Sequence, residues 1–481
     1  MTRLQLTNII CTPLQVVKQK DKKLPQTRWR QYSAGVAAAI SLVAGGAWFA
    51  WPTPLLPHLL APDSPVPMTP DEVSWMVSCV EVGCLVVPFP AVYISDNYGR
   101  KFCMLLSVPL YLFAALLINH VKTFASLSFA RFLIGAGMCI PYTILPLYLG
   151  EIASPEVRGA VTSFYHIAWS LGCLIPYCIG PYLSFETYNY AIFSIGLVFL
   201  AFFIWQPESP YFYALQKNSV ELTNSLKRLR DSPSEDSIQM EIKEIEMEVM
   251  MSQEERGSWR DVIATPADRR ALLLLMALGT VSFLSGQNAI LTYTTETTSL
   301  LPTTIISPDI ITIMVGVVMV FASVLSLFFS DMFGRRFLIL SSSIGCTVCL
   351  AATSVYFFLY FNLERDVADF SWIAPLALLG FNFFLTFGMH PVCVTYSSEL
   401  FPTNTRGVAN GILGINITCC SFFVLKTYEP ITNSFGTYFV YLIYTAVCLA
   451  GTIFFYFMMP ETKGKSFLEI KEDLIKYCNT S

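Results

Sequence analysis

The sequence predicts an all-α membrane protein of twelve transmembrane helices arranged as two pseudosymmetric six-helix bundles. Composition is the first observation: of 481 residues, 54% are hydrophobic and 13% charged, with a mean hydropathy of +0.55. A soluble chain of that length could not hide so much apolar surface. The second observation is length, because most apolar runs exceed the roughly 20 residues that cross a bilayer. Repetition is the third. Tyr148, Glu151, Arg158 and Gly159 recur with the same spacing as Tyr396, Glu399, Arg406 and Gly407. DNYGRK (Asp96 to Lys101) recurs as DMFGRR (Asp331 to Arg336), and PESP (Pro207 to Pro210) as PETK (Pro460 to Lys463). Three motifs in one order, each displaced by roughly 250 positions, describe two homologous halves.

In chain order, residues 1–30 are polar and basic without an apolar core, and read as a cytosolic tail rather than a signal peptide. The N-terminal bundle spans 31–206, with apolar runs at 31–51, 73–95, 102–121, 125–147, 159–181 and 188–206. A hydrophilic linker, 207–269, follows. In it Ile238, Ile242, Ile245 and Val249 fall at helical spacing beside glutamates, predicting an amphipathic helix under the bundle. The C-terminal bundle spans 270–459, with runs at 270–295, 310–330, 337–360, 372–397, 408–428 and 436–459, and 460–481 form a second cytosolic tail.

The net charge of −4 averages over loops of different sign, so the sidedness of Lys and Arg carries the information. With tails and even-numbered loops cytosolic, only Lys122, Arg131, Arg365 and Lys426 of the 30 basic residues fall elsewhere. Both termini are therefore expected inside, in a multi-pass protein of the plasma membrane. The fourteen cysteines are scattered, and Cys346 and Cys349, despite redox spacing, lie in an apolar span without a second pair. No nucleophile-base arrangement, phosphate loop or metal cluster appears, so the sequence implies no enzyme and calls for no cofactor, metal or nucleic acid. The expected surroundings are a lipid bilayer and a small solute, with a monomer as the working unit.

All six repeated motifs fall at the cytosolic ends of spans. Acidic and basic groups there can pair across the seam between halves when that side is shut and separate when it opens. The gate set is Asp96, Arg100, Glu151, Arg158, Asp331, Arg335, Arg336, Glu399 and Arg406; the alternative is a set of independently solvated helix ends.

DNYGRK, PLYLGEIASPEVRG, PESP, DMFGRR, SELFPTNTRG and PETKGKS together resemble the sugar porter family of the major facilitator superfamily, over residues 31 to 472. WPTPLLPHL and DEVSW are similar to the insect facilitated trehalose and sugar transporters. The resemblance implies the major facilitator fold, a sugar site near the midplane, and rocking between two open states. It also implies pairing of Glu151 with Arg406, and of Glu399 with Arg158, when the cytosolic side is closed.

Sugar recognition needs polar groups and a flat aromatic surface at mid-depth. The family's seventh-span motif survives here in Ser285, Gly286, Asn288 and Tyr293, with Gln287 an additional amide and Ser282 and Phe283 replacing a Gln-Gln pair. His166 stands for the family's fifth-span Gln, Val394 for its tenth-span Trp, Met319 for an eighth-span Asn, and Ile417-Thr418 for an Asn-Trp, with Asn416 one place early. Substrate-binding candidates are therefore Asn288, His166, Ser285, Gln287, Tyr293 and Trp169, the last as a stacking platform. Each has a packing alternative, which for His390 and Asn382 is the preferred one.

Proton-coupled porters of this family keep an acid in the first span, and residues 31–56 contain none, which predicts facilitated diffusion. Glu81 and Arg131 sit at matching depth in spans two and four, about 10 Å by helical rise, and are expected to form a buried ion pair. The reading is a facilitative carrier for a hexose or trehalose. The alternatives are a proton-coupled or non-sugar carrier and a non-transporting nutrient sensor.

Overall fold

The computed structural model describes residues 28–60, 66–154, 156–231, 234–254, 259–301, 306–365, 368–465 and 469–474. Ten helices among them are long and apolar enough to cross a membrane, and the pair Pro70–Val86 and Pro88–Tyr98, bent by 44°, makes an eleventh. The twelfth joins Arg158–Thr162 to Phe164–Ile179, interrupted at Ser163. Numbered along the chain, spans one to six are thus Trp29–Ala50, the bent pair, Arg100–His120, Phe124–Ile152, the interrupted pair and Phe185–Phe203. Spans seven to twelve are Pro266–Ser299, Pro308–Phe333, Arg335–Phe361, Ile373–Glu399, Thr403–Phe435 and Thr437–Met458. The fold, among the described residues, is an all-α array of helices long and apolar enough to cross a membrane.

Three spans are irregular where the sequence requires it. Span two bends at Val87, between Pro88 and the preceding helix, because proline supplies no N–H to the turn before it. Span seven breaks at Ser285-Gly286, where Gly286 has φ +87 and starts the second segment, Gln287–Ser299. A Cβ there would lie 2.2 Å from the Tyr444 ring, so sterics and backbone both demand glycine. Span ten carries a π-turn, Leu385–Met389, immediately before His390 and Pro391, the kind of local widening that often marks a functional site.

Spans four and ten extend past their predicted ends at 147 and 397, to Ile152 and Glu399. PLYLGEI is thus the last turns of a helix. Hydropathy ends the span too early because Tyr148 and Glu151 find polar partners there and need not leave the helix.

The linker folds as three helices, Pro210–Leu215, Ser219–Leu229 and Glu235–Glu254. The predicted stripe of Ile238, Ile242, Ile245 and Val249 is buried, packed on Ala214, Leu222 and Leu226 of the linker itself. Arg230 ties this layer to the bundle by donating to Ile152 O at 3.0 Å, and Arg30 pairs with Asp231 at 3.0 Å. The linker marks one side of the bundle, below called the linker side; the other is the far side.

Replacing Gly286 by Ala should destabilise the protein by about 1–3 kcal/mol from the left-handed backbone alone, before the clash with Tyr444 is counted. Thermal unfolding of Gly286→Ala, and of the same change with Tyr444→Ala, checks this. The double variant should recover part of the loss and never all of it.

Candidate functional site: a linker-side rim and a far-side seam

On the linker side the repeated motifs build the same device twice. Gly99 (φ +107) and Gly334 (φ +84) turn the chain between spans two and three, and eight and nine. The helices that follow begin with amides lacking carbonyl partners. Glu208 supplies them, accepting from the N–H of Arg100 at 3.1 Å and of Lys101 at 3.0 Å. Glu461 does the same for Arg335 and Arg336, each at 3.0 Å. Tyr148 donates to Pro207 O at 2.7 Å and Tyr396 to Pro460 O at 2.5 Å, which fixes each Pro-Glu segment against its own half.

The acid–base pairs of the rim form within each half. Arg100 reaches Glu151 and Asp96, both at 3.1 Å, and Ser209 donates to the same Glu151 carboxylate. Arg335 pairs with Glu399 at 3.1 Å, and Arg336 donates to Tyr456 O at 2.7 Å. The expected partners of Glu151 and Glu399 were Arg406 and Arg158. Arg406 instead donates to Phe401 O at 3.3 Å, while the side chains of Arg158 and Asp331 lie outside the described residues. Those cross-half pairs were expected with this side shut, and here the contacts between halves lie on the other side.

Spans two and eleven meet on the far side. Lys426 pairs with Asp71 at 2.7 Å and lies 4.5 Å from the centre of the Trp75 ring; Ser74 donates to Lys426 O at 2.9 Å. Deeper in the same seam, Ser421 donates to Glu81 Oε1 at 2.5 Å and Asn288 Nδ2 donates to that oxygen at 3.3 Å. Asn288 also donates to Ser421 Oγ. Thr53 and Tyr177 both donate to Leu291 O at 3.2 Å, adding span seven to the closure.

This corrects the expected Glu81–Arg131 ion pair. Arg131 is buried and donates to Trp48 O at 2.8 Å, while Glu81 takes its donors from the opposite half. The two spans pack closely, a Cβ on Gly83 falling 2.2 Å from Phe132 O, but the hydrogen-bond partners of the two side chains lie elsewhere.

The other predicted ligands divide. Gln287 Oε1 lies 2.7 Å from His390 Nε2, joining the span-seven break to the π-turn of span ten. Ser285 donates to Ser282 O of its own helix, and Tyr293 is buried, stacked on Tyr428 at 4.2 Å, so these two line no open surface. His166 and Trp169 are half-buried beside Tyr142 and Tyr165: the Tyr165–His166 ring centres are 5.2 Å apart, and Trp169 sits 6.1 Å from Tyr142 and 5.4 Å from Phe49. Asn416 bonds Thr280 Oγ1 and Met276 O, a link between spans eleven and seven. His390, for which packing was the preferred reading, makes the bond to Gln287 between spans. Ser421 was the member that sequence reasoning missed, and it offered no signal. Two surface pockets of about 430 Å³, lined by residues such as Glu208, Tyr213 and Arg228, lie among the linker helices and the rim, away from these groups.

Two six-span halves, a seam of reversible polar contacts and a discontinuous helix at mid-depth define a membrane carrier of the major facilitator class. The chain belongs to the sugar (and other) transporter family, whose model matches residues 14–474. It is 25% identical over 93% of its length to the facilitated trehalose transporter Tret1 of Bombyx mori, covering 87% of that protein. It is 28% identical over 82% of its length to facilitated glucose transporter member 1 of solute carrier family 2 from Gallus gallus, covering 81%. Among solved structures, the partially occluded inward-open xylose transporter XylE of E. coli superposes with a TM-score of 0.73 at 20% identity, over 91% of this chain and 100% of that one.

The two capping carboxylates differ in charge environment. Burial pushes the Glu208 carboxyl above its ordinary value against the pull of the Ser209 and Lys101 amides. Burial acts on Glu461 as well, but the amides of Lys463, Arg335, Arg336 and Thr462 outweigh it and hold the carboxyl below its ordinary 4.5. A depressed carboxylate contributes stability above its unfolded pKa and loses it as pH falls through the folded value. Glu461→Gln should therefore lower the melting temperature at pH 7, with the difference from wild type shrinking as pH drops through 4.5. Thermal scans of both proteins across that range check it.

Proposed function

We propose that this protein carries a hexose or trehalose across the plasma membrane by alternating access, as a facilitator, with the linker side cytosolic. The observation that carries the reading is Asn288. It follows the Gly286 break of the seventh span and stands where spans two, seven and eleven converge. An amide there can exchange its present partners for substrate hydroxyls, which must recover hydrogen bonds when stripped of water. Gln287 with His390 adds a second polar station, and His166 and Trp169 with Tyr142 provide aromatic faces for the CH side of a sugar ring. The relatives carry the names of trehalose and glucose transporters, which supports this substrate class. The basic residues gathered on the linker side support the orientation.

Facilitation follows from a first span without Asp or Glu. The rim works as the cytosolic gate: when that side shuts, Glu151 takes Arg406 and Glu399 takes Arg158, releasing Arg100 and Arg335. Arg406 makes one hydrogen bond in the present state. Arg406→Ala should therefore slow sugar uptake severalfold while changing the free energy of unfolding by no more than about 0.5 kcal/mol. Unchanged uptake would remove Arg406 from the gate.

The deciding experiment is uptake of a panel of labelled solutes, including glucose and trehalose, into reconstituted vesicles. For the solute that is carried, Asn288→Ala should weaken binding by about 1–3 kcal/mol. Equal binding by the variant would exclude Asn288 as a ligand. Glu81, a buried carboxyl on the seam, favours a second reading, proton-coupled transport. Rates independent of pH between about 5 and 8 in wild type and Glu81→Gln would reject it.

A further inference from the structure

We infer that Glu81 is a positioning residue that couples occupancy of Asn288 to closure of the far side: the Glu81 carboxyl and the substrate compete for the same amide. The inference rests on the reading of Asn288 as a substrate ligand.

The geometry is specific. The Asn288 amide nitrogen reaches two acceptors at once, Glu81 Oε1 at 3.3 Å and Ser421 Oγ. Ser421 in turn gives its proton to the same Glu81 oxygen at 2.5 Å. The triangle joins span two of one half to spans seven and eleven of the other, and all three residues are buried. With the far side closed, then, the Asn288 amide is turned onto the Glu81–Ser421 pair. A sugar hydroxyl that draws the amide away removes a donor from Glu81 or from Ser421, and a buried acceptor deprived of its donor costs more than the bond it loses. The contact that holds the seam is weakened by the event that loads the site.

Coupling of this kind is reciprocal. Sugar on Asn288 favours opening of the far side, and closure of the far side, by returning Asn288 to Glu81 and Ser421, favours sugar release toward the linker side. The outermost turn of the seam is independent of Asn288. Asp71, Lys426 and the Trp75 ring hold it, so it adds closing energy without reporting occupancy.

Spin labels at Val121 and Leu363, exposed far-side positions in opposite halves, installed by a chemistry that ignores cysteine, read the seam directly. In the reconstituted wild type, glucose or trehalose, whichever the panel shows to be carried, should shift the distance distribution toward longer values. Glu81→Ala should show the longer distances with and without sugar and should bind sugar about fivefold more tightly, since one competing hydrogen bond is gone. Glu81→Gln keeps a carbonyl oxygen that accepts from both Asn288 and Ser421, and should restore the sugar-dependent shift. Lys426→Gln should lengthen the distances without sugar yet retain the shift, separating a weaker seam from an uncoupled one.

A wild-type-like response in Glu81→Ala, or a Glu81→Gln that behaves as the alanine variant does, overturns the coupling role while leaving Asn288 as a ligand. Unchanged sugar binding in Asn288→Ala overturns the ligand assignment and this inference with it. Should Glu81→Ala fail to fold, Ser421→Ala removes one of the two donors to Glu81 and should halve the sugar-dependent shift or more; a full shift there counts against the triangle.

Discussion

Glu208 and Glu461 do what no helix can do for itself. The first amides of spans three and nine have no carbonyl to bond, and in an apolar chain there is little water to take its place. Each carboxylate reaches across from the end of its own half and closes that deficit, and the Tyr148 and Tyr396 hydroxyls hold these accepting segments in position. From this follow the glycine turns, the orientation of Arg100 and Arg335, and the availability of Glu151 and Glu399 as acceptors. The rim is thus a backbone requirement first and an electrostatic device second.

The two sides of the bundle use different chemistry. On the linker side, the rim's ion pairs among the described residues, Arg100 with Asp96 and Glu151 and Arg335 with Glu399, lie within each half, so the halves can part without breaking them. On the far side, the partners belong to opposite halves, and separation there exposes Lys426, Asp71 and Glu81 together. Such an arrangement makes one side slack and the other tight in the same molecule, which is the condition for two alternating states rather than a continuum.

The fold was legible because it is written in composition, run length and repetition, none of which depends on side-chain geometry. The rim was legible as a set of residues; its cross-half pairs were expected for a closed state, and the present state shows pairs within each half. The family resemblance links Glu151 with Arg406, but only the structure shows that Arg100, 51 residues back at the start of span three, is the partner in this state. Glu81 illustrates the same boundary. Its depth predicts burial correctly, yet depth says nothing about which way a side chain turns, and Ser421 and Asn288 of the opposite half supply its donors. His390 was undervalued because no motif surrounds it; its partner Gln287 is itself displaced from the family pattern.

The linker helices carry a small core of their own, Leu222, Leu226, Ile238, Ile242, Ile245 and Val249, and are bolted by Arg230 and Asp231 to spans four and one. They ride with the first half. Motion between halves therefore has an asymmetric frame of reference: six spans and the linker layer form the heavier, buttressed body, and the second half is the lighter arm that swings against it. A cytosolic protein that gripped the linker would hold the frame and leave the arm free, whereas one that wedged between linker and span ten would stall the cycle.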